Sequence, residues 1–419
     1  MRIKVDENGN WRSFRHRNFR ILYPANAMSN IGTWAQRVAQ DWLVLELTNN
    51  NGFYLGLVTA IQFAPVLLFS LQGGAMADRI DKRKLLIWTN IVAALACYAL
   101  GILVVTEVIQ LWHVFVCAAV LGISSALDAP IRQSFTAEIV GHSDVANAVS
   151  LNSANFNAGR LVGPALSCFL IARFSTGPSF LINATTYLFV ILSLLFMRPS
   201  DFFIQKKEET LGTIREGLRY AKARPDLYVV MALVFFAATF GLNFQIFNAL
   251  MATKEFGKGP ASYGLLGTFI AVGSLSGALI SARLERFRDA KLVMKLGILF
   301  SIIVIVLSVM PTYTWYSLWL PVCGISALTM LISANSYVQV NSDPAVRGRV
   351  MGIYLLVFMG GTPVGSLLIG YLTEALGTRE TIALCGGFSL LMCLLIWFFF
   401  NDKVERPDDL RVSSVLREQ

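Results

Sequence analysis

The sequence contains few charged residues for its length. Asp, Glu, Lys and Arg together make up 15% of the 419 residues, whereas a typical soluble domain has roughly 25%. Hydrophobic residues make up 55%, and the mean hydropathy is +0.59. So little charge on so apolar a chain argues against an ordinary soluble protein and predicts an integral membrane protein.

Side chains that support catalysis or metal binding are also scarce. The chain has only three histidines, His16, His113 and His142, and none has a second ligand-type residue at metal-binding spacing. It contains no GxxxxGK[ST] nucleotide loop and no recognisable serine, histidine and acid set. A membrane enzyme is therefore disfavoured, and no cofactor or metal is expected.

The cysteines show no pattern typical of a redox or metal site. None belongs to a CxxC pair, and every one lies in an apolar segment. We therefore predict that they are small core residues rather than metal ligands or disulfide partners. The six are Cys97, Cys117, Cys168, Cys323, Cys385 and Cys393.

Long apolar runs recur along the whole chain. Each is about 20 residues or more in length, which is enough to cross a hydrocarbon core of roughly 30 Å as a helix. The sequence thus predicts an all-α integral membrane fold with twelve transmembrane helices. Their predicted bounds are 19–46, 53–76, 85–105, 110–136, 146–173, 177–198, 226–251, 261–281, 292–310, 314–340, 347–375 and 379–400.

Lysine and arginine are distributed unevenly between the two sides of these spans. Of the 35 such residues, Arg37 and Arg160 lie within the membrane and most of the others lie in alternate, inner segments. By the positive-inside rule, both termini are predicted to be cytoplasmic. The net charge of +9 then reflects topology and anionic lipid, and no nucleic-acid partner is expected. The outer segments hold only Arg173, Lys254, Lys258 and Arg379.

The chain divides in the middle, at a long polar connection. Its apolar residues alternate with charges at near-helical spacing, which predicts an amphipathic helix on the inner membrane surface. Gly163 and Gly365 occupy corresponding points of the fifth and eleventh spans, so the two halves are predicted to be pseudo-symmetric repeats. The predicted regions are a cytoplasmic N-terminus at 1–18, a six-helix half at 19–198, a linker at 199–225, a second six-helix half at 226–400 and a cytoplasmic tail at 401–419.

Five motifs occur in an order that resembles one transporter family. Together they resemble the major facilitator superfamily, in the exporter branch that includes drug and enterobactin exporters. The resemblance implies a twelve-helix transporter of the bacterial inner (plasma) membrane, expected to act as a monomer, with its substrate site between the halves. The motifs are NIGTWAQRVAQDWLVLELT at 30–48, GGAMADRIDKRKLL after the second span, ALDAPIRQSF at 126–135, GRLVGPALS at 159–167 and RGRVMGIY at 347–354.

The loop after the second span is similar to the signature loop of that superfamily. The resemblance implies that Asp78 pairs with Arg349, or less favourably with Arg347, when the inner side of the transporter closes. Asp81 stands where many members have a second glycine. The basic residues of the loop are also consistent with a purely topological role. The predicted inner gate comprises Gly74, Asp78, Arg79, Asp81, Arg83 and Arg349.

The segment GRLVGP in the fifth span resembles the antiporter motif of drug exporters. Gly159 and Gly163 are four residues apart, on one helix face, and Pro164 removes a backbone hydrogen bond and bends the helix. Plain helix packing explains these residues equally well. A guanidinium at Arg160 needs a partner within the membrane, and the sequence leaves Asp41 and Asp128 as open alternatives.

A polar stripe runs along the first predicted helix. Asn26, Asn30, Thr33, Arg37 and Asp41 are spaced by three or four residues, so they share one helix face. Such a stripe cannot face lipid. The resemblance implies that spans one, four, seven and ten border a central cavity. The other candidates from those spans include Asp128, Arg132, Asn243, Asn335 and Gln339.

An intramembrane carboxylate is expensive and usually functional. We hypothesise that Asp41 or Asp128 exchanges a proton for substrate and that Arg37 or Arg160 tunes its proton affinity. The alternative is that Arg37 and Asp41 merely neutralise each other as an i, i+4 pair. Drug antiporters typically carry an arginine four residues before a glycine of span four, where this chain has Ala118, so any coupling must be arranged differently.

The sequence therefore predicts a secondary active transporter. The expected activity is proton-coupled export of amphipathic small molecules, such as drugs or siderophores, by alternating access. The proton gradient would supply the energy, and the partners would be the cargo, protons and membrane lipid. An uptake carrier or a lipid or lysophospholipid flippase on the same fold is the alternative.

Overall fold

The computed structural model describes residues 9, 11–203, 214–283, 289–343 and 346–401, with residues 70–79, 214, 215 and 282 described by their backbone alone. Its regular structure in those ranges is helical throughout. Helices satisfy every backbone polar group within one segment, which is what a lipid environment requires. The α-helices are α1 (Arg17–Leu47), α2 (Gly52–Arg79), α3 (Lys82–Val105), α4 (Leu111–Val140), α5 (Val145–Arg173), α6 (Gly177–Leu195), α7 (Ile214–Ala223), α8 (Pro225–Phe236), α9 (Phe244–Leu250), α10 (Pro260–Arg283), α11 (Ala290–Ser308), α12 (Tyr313–Asn341), α13 (Arg347–Gly360), α14 (Thr362–Ala375) and α15 (Thr378–Phe400).

Ten helices or continuous helical runs in the described part are long and apolar enough to cross a membrane. Two of them are composite, because α8 and α9 belong to the run Pro225–Glu255 and α13 and α14 to the run Arg347–Ala375. The predicted all-α membrane fold is confirmed to this extent. Helices α1 and α5 occupy the first and fifth predicted spans but are not among the ten. A full set of twelve spans and the cytoplasmic termini stay predictions.

Large apolar side chains stay exposed along these helices. Leu279 and Phe398, for example, are 73% and 78% exposed. Many others, including Leu68, Trp88 and Phe169, are also exposed. A surface of this kind would be a liability in water but matches the hydrocarbon of a bilayer.

One compact unit comprises Met1–Glu209 and Lys258–Thr268. Within it, α1 packs against α5 and α6, α2 packs against α4, and α3 packs against α4 and α6. Glycines permit the closest approaches: a Cβ on Gly122 of α4 would collide with the Gln62 carbonyl of α2. One end of this unit is filled by an apolar cluster that includes Phe19, Leu86 and Phe135.

The other compact unit comprises Thr210–Gly257 and Phe269–Gln419. Helix α11 packs against α8, α12 and α15. Two π-helical turns, Ala237–Gly241 and Met251–Glu255, interrupt the run that contains α8 and α9. Gly365 of α14 lies against the first of these turns, where a Cβ would collide with the Thr239 carbonyl. The lack of a side chain at Gly365 therefore allows this contact.

The short helix α7, in the predicted linker, is held against other elements of its own unit. Glu216 forms an ion pair with Arg349 of α13, with 2.8 Å between carboxylate oxygen and guanidinium nitrogen. At the start of α8, Arg224 donates two hydrogen bonds to Asp226, at 2.9 and 2.8 Å. The hydrogen bonds to the Asp226 carboxylate raise the pKa of Arg224 above its ordinary value. These contacts anchor α7 and the start of α8, and residues 204–213 of the linker lie outside the described residues.

Candidate functional site

A cavity of about 560 Å³ lies within the first unit, and all six helices α1–α6 contribute to its wall. Amide and hydroxyl side chains predominate among the residues that line it. The charged residues in this lining are Arg37, Arg132 and Asp128. Drug-sized ligands occupy pockets of roughly 300–1,000 Å³, so this cavity is large enough for an amphipathic small molecule.

Asp128 of α4 is the centre of a hydrogen-bond network in this cavity. Its carboxylate accepts from the Arg132 Nε and Nη2 atoms at 2.7 and 2.9 Å. It also accepts from the Thr89 hydroxyl at 3.0 Å and the Asn90 amide at 3.1 Å, both on α3. Arg132 Nη1 in turn donates to Asn26 Oδ1 of α1 at 2.6 Å. A bidentate ion pair with these partners is rigid, so three helices place one charge pair at a defined position.

The Asp128–Arg132 pair is partly accessible rather than sealed in the core. About a quarter of the Arg132 side chain (26%) and a fifth of the Asp128 side chain (20%) are exposed. Both residues line the cavity. The charges can therefore meet a polar molecule that enters it.

The polar stripe of α1 turns toward this cavity over most of its length. Asn26, Asn30, Thr33 and Arg37 all line it. Asp41 is the exception, because it is only 2% exposed and is not one of the lining residues. The structure thus brings together four of the five stripe residues and separates the fifth from them.

Asp41 contacts a tyrosine from a distant part of the chain. The Tyr263 hydroxyl, at the start of α10, donates a hydrogen bond of 2.7 Å to Asp41 Oδ2. Both residues belong to the first compact unit and are almost fully buried. The Tyr263 ring also stacks on Trp42, with 6.4 Å between ring centroids. A neutral hydroxyl therefore faces this carboxylate.

Arg37 and Arg160 lie on either side of the α1–α5 contact and share an aromatic neighbour. The guanidinium carbon of Arg37 lies 4.8 Å from the Trp34 ring centroid, and that of Arg160 lies 5.8 Å from it. Arg37 also lies 5.7 Å from the Phe63 ring centroid. In the described part of the chain, neither Asp41 nor Asp128 forms an ion pair with Arg160, so neither proposed partner is seen.

The glycine motif of α5 sets the distance between α1 and α5. A Cβ added to Gly163 would lie 2.5 Å from Trp34 Cβ and 2.8 Å from the Ile31 carbonyl oxygen. One added to Gly159 would lie 2.9 Å from the Asn30 backbone and side chain. Pro164 follows within the same helix. These glycines let α1 and α5 touch backbone to backbone, which places Arg160 beside Trp34.

Three predicted cavity residues lie in the second unit. Asn243 is buried and donates a hydrogen bond to the Thr239 carbonyl of the preceding turn at 2.8 Å. Asn335 is half-buried and Gln339 is exposed on α12. Their roles stay predictions.

The predicted inner-gate residues are described only in part. Asp81 caps the N-terminus of α3, where its carboxylate accepts from the Lys84 backbone N–H at 3.2 Å. Arg83 donates to the carbonyls of Leu194 and Leu195 at the end of α6, at 2.7 and 2.9 Å. Arg349 pairs with Glu216, as described above. Only the backbone is described for Gly74, Asp78 and Arg79.

Several residues of this site were not predicted from the sequence. Thr89, Asn90 and Gln62 line the cavity from α2 and α3. Their polar side chains inside apolar spans were a usable signal. Tyr263 gave no such signal, because tyrosine is common in membrane helices and its contact with Asp41 spans 222 positions of sequence.

The fold is similar to that of solved transporter structures. A bacterial homolog of the human lysosomal transporter Spinster, in an inward-facing and unoccupied conformation, matches with a TM-score of 0.75. The match covers 93% of this chain and 99% of that chain at 15% sequence identity, and it shows the fold alone. The apolar helices and the polar cavity define a multi-pass membrane protein.

Several relatives of known name match almost the whole chain in sequence, and they are siderophore and drug transporters. The Staphyloferrin A transporter of Staphylococcus aureus is 24% identical over 92% of this chain and 97% of its own length. The multidrug efflux pump Tap of Mycolicibacterium fortuitum is 25% identical, over 90% and 93%. The enterobactin exporter EntS of Shigella boydii is 24% identical, over 90% of each chain.

The chain matches the transmembrane secretion effector family of the major facilitator superfamily over residues 8–419 and belongs to that family. The predicted resemblance to the drug and siderophore exporter branch is therefore confirmed. The expectation that this protein is a transporter and not an enzyme is also confirmed.

Proposed function

We propose that this protein exports amphipathic small molecules in exchange for protons, by alternating access. The observation that carries the proposal is the Asp128–Arg132 ion pair, which lies at a polar cavity of about 560 Å³ inside a bundle of apolar helices. Ionised groups at membrane depth are costly, and they mark the paths of substrates and protons. The names of the exporter relatives support a drug or a siderophore as cargo.

The proposal includes twelve transmembrane helices with both termini in the cytoplasm. Helices α1 and α5 have 31 and 29 residues, or roughly 45 Å at 1.5 Å per residue, which is enough to cross the bilayer. Both helices contribute polar residues such as Asn30 and Asn157 to the cavity wall, which explains their lower hydropathy. The uneven distribution of Lys and Arg supports the orientation. We place the protein in a bacterial inner membrane as a monomer surrounded by lipid.

Asp41 is the proposed proton carrier. If Asp128 took up a proton, its bidentate bond to Arg132 would be disrupted and a cation would be left without its partner. Asp41 instead meets the Tyr263 hydroxyl, which can donate to a carboxylate and accept from a carboxylic acid. The hydrogen bond between Asp41 and Tyr263 can therefore persist, with its direction reversed, when a proton is gained or lost at Asp41. In the exchange, a proton from the outer side binds an Asp41 carboxylate oxygen and is released to the cytoplasm as cargo leaves, so that the gradient drives export and no cofactor is required.

Asp41→Asn is expected to uncouple cargo movement from proton movement. The amide cannot bind or release a proton near neutral pH, but it can still accept the hydrogen bond from Tyr263. Proteoliposomes containing a pH-sensitive dye would report protons while cargo is followed separately, with a lipophilic-cation panel and a catecholate siderophore as cargoes. We expect cargo-linked proton flux to fall at least about tenfold, with cargo binding changed by less than about threefold.

Asp201→Asn is the matched control, because Asp201 is an exposed carboxylate in the turn after α6. It should retain both signals. Undiminished proton flux in Asp41→Asn would remove Asp41 from the coupling role. Cargo movement by the wild type without any proton signal would rule out antiport, and accumulation of cargo on the cytoplasmic side would rule out export in favour of uptake.

A further inference from the structure

Two arginines in the first unit, Arg37 and Arg160, differ from several other arginines in the described part of the chain. Arg132 pairs with Asp128, Arg224 pairs with Asp226, and Arg379 pairs with Glu255. Among the residues that the structure describes, Arg37 and Arg160 form neither an ion pair nor a hydrogen bond. The Nε atom of Arg37 is buried without a hydrogen-bond partner.

The aromatic contacts only partly compensate for this. Arg37 and Arg160 both lie within cation–π distance of Trp34, and Arg37 also reaches Phe63. A ring face attracts the positive charge, but it does not satisfy the in-plane N–H donors of a guanidinium. The charge of Asp41 acts on Arg37, and the Asp41 carboxylate accepts a hydrogen bond from Tyr263.

The two guanidiniums also act on each other. The charge of Arg37 is an unfavourable electrostatic neighbour for Arg160. The close α1–α5 contact at Gly163 holds them near one ring despite this repulsion. Like charges that are held together and lack protein partners form a site that is complementary to an anion.

The site adjoins the cavity already described through Arg37, whereas Arg160 is not itself one of the lining residues. Arg37 lines that cavity directly, and Phe156 and Asn157, one turn before Arg160 on α5, line it as well. Two of the three charged residues in the lining are arginines, so the wall carries a net positive charge. Phe156 and the amide groups around it offer both an apolar and a polar surface to the rest of a ligand.

We infer that the cargo carries a carboxylate, which Arg37 and Arg160 bind beside Trp34 while the remainder of the molecule occupies the cavity. This inference rests on the proposed function and adds the chemical class of the cargo. A carboxylate matches the planar fork of a guanidinium, because two N–H groups can donate to its two oxygens. The cargo would then accept hydrogen bonds from the guanidinium N–H groups of these arginines that have no partner in the protein.

The test compares two xanthene dyes that differ only in one group, rhodamine 110 with a free carboxylate and rhodamine 123 with its methyl ester. Fluorescence polarisation would measure their binding to the purified full-length protein without a pH gradient. The wild type is expected to bind the free carboxylate at least about tenfold more tightly, which is the size of one charge-assisted hydrogen bond. Arg37→Gln and Arg160→Gln should each reduce this preference at least about fivefold.

Arg173→Gln is the matched control, since it removes the same charge from the exposed end of the same helix. It should keep the wild-type preference. Arg37→Lys and Arg160→Lys keep the positive charge but lose the planar pair of guanidinium N–H donors. They should show a preference for the free carboxylate between those of the wild type and the glutamine variants. Thermal unfolding of each variant, followed through reaction of the six buried cysteines with a thiol dye, confirms that it is folded.

Equal binding of the two dyes, tighter binding of the ester, or no binding of either would overturn the inference. So would a carboxylate preference that survives both glutamine substitutions. Gradient-driven dye efflux from proteoliposomes, measured separately, tests the export function. A transporter that moves the ester but not the free carboxylate would therefore refute the cargo class while leaving the proposed export intact.

Discussion

Asp128→Asn is expected to reduce transport at least about a hundredfold, equivalent to ~2.7 kcal/mol in the transport barrier. The substitution keeps the shape of the side chain and its contacts with Thr89 and Asn90. It removes the charge that holds Arg132 through two hydrogen bonds. Arg132 would then be free to leave Asn26, so the charge pair at the cavity wall would lose its defined position.

The same substitution should cost about 1–3 kcal/mol of stability, since an arginine at membrane depth loses its counter-charge. We place the value below the cost of breaking a fully buried pair because a fifth to a quarter of each side chain is exposed. Arg132→Gln in the Asp128→Asn background should recover most of that stability but not transport. Thermal unfolding and cargo flux in proteoliposomes would separate the two effects.

Thr89→Val provides a graded comparison, because it removes one hydroxyl donor and leaves both charges in place. It should reduce transport only a few-fold. If Asp128→Asn transported at more than a tenth of the wild-type rate, the charge pair would be structural and Asp128 would not belong to the cargo site.

Gly163→Ala is expected to destabilise the protein by about 1–3 kcal/mol, as overpacking of a close helix contact does. The new methyl group would lie 2.5 Å from Trp34 Cβ, 2.8 Å from the Ile31 carbonyl oxygen and 2.9 Å from the Ala35 nitrogen. Two of these three atoms belong to the α1 backbone, so the clash cannot be relieved by rotating a side chain. Helix α1 must therefore move away from α5.

That movement should also impair transport beyond the loss of folded protein. Helix α1 carries Arg37 and Asn26 into the cavity. Its displacement therefore moves Arg37 and also the Asn26 oxygen that accepts a hydrogen bond from Arg132. Gly387→Ala is the control, because a Cβ at Gly387 would meet no atom within 4 Å. Alanine there should leave stability unchanged or raise it by up to about 1 kcal/mol through helix propensity. Equal unfolding temperatures for the two alanine variants would show that the α1–α5 contact is not tight.

Much of the architecture could be predicted from the chain alone. Apolar runs in lipid have no alternative to helix, so the helical segments follow from hydropathy. The i, i+4 spacing of Asp128 and Arg132 and the polar stripe of α1 likewise follow from the helical period. The family followed from five motifs, and the comparisons confirm it. The helical interruptions at Ala237–Gly241 and Met251–Glu255 could not be predicted, because no proline marks either turn.

The sequence by itself determined that the protein lies in a lipid bilayer, where its helices run and to which exporter family it belongs, because each of these depends on local composition or short motifs. Only the tertiary structure decided which side chains the charged residues contact. It assigns Arg132 to Asp128, Tyr263 to Asp41 and Trp34 to Arg160. The last two contacts join residues more than a hundred positions apart. Helical periodicity fixes which face a residue occupies, but the partner on the facing helix depends on how closely the helices pack, here at Gly163 between α1 and α5.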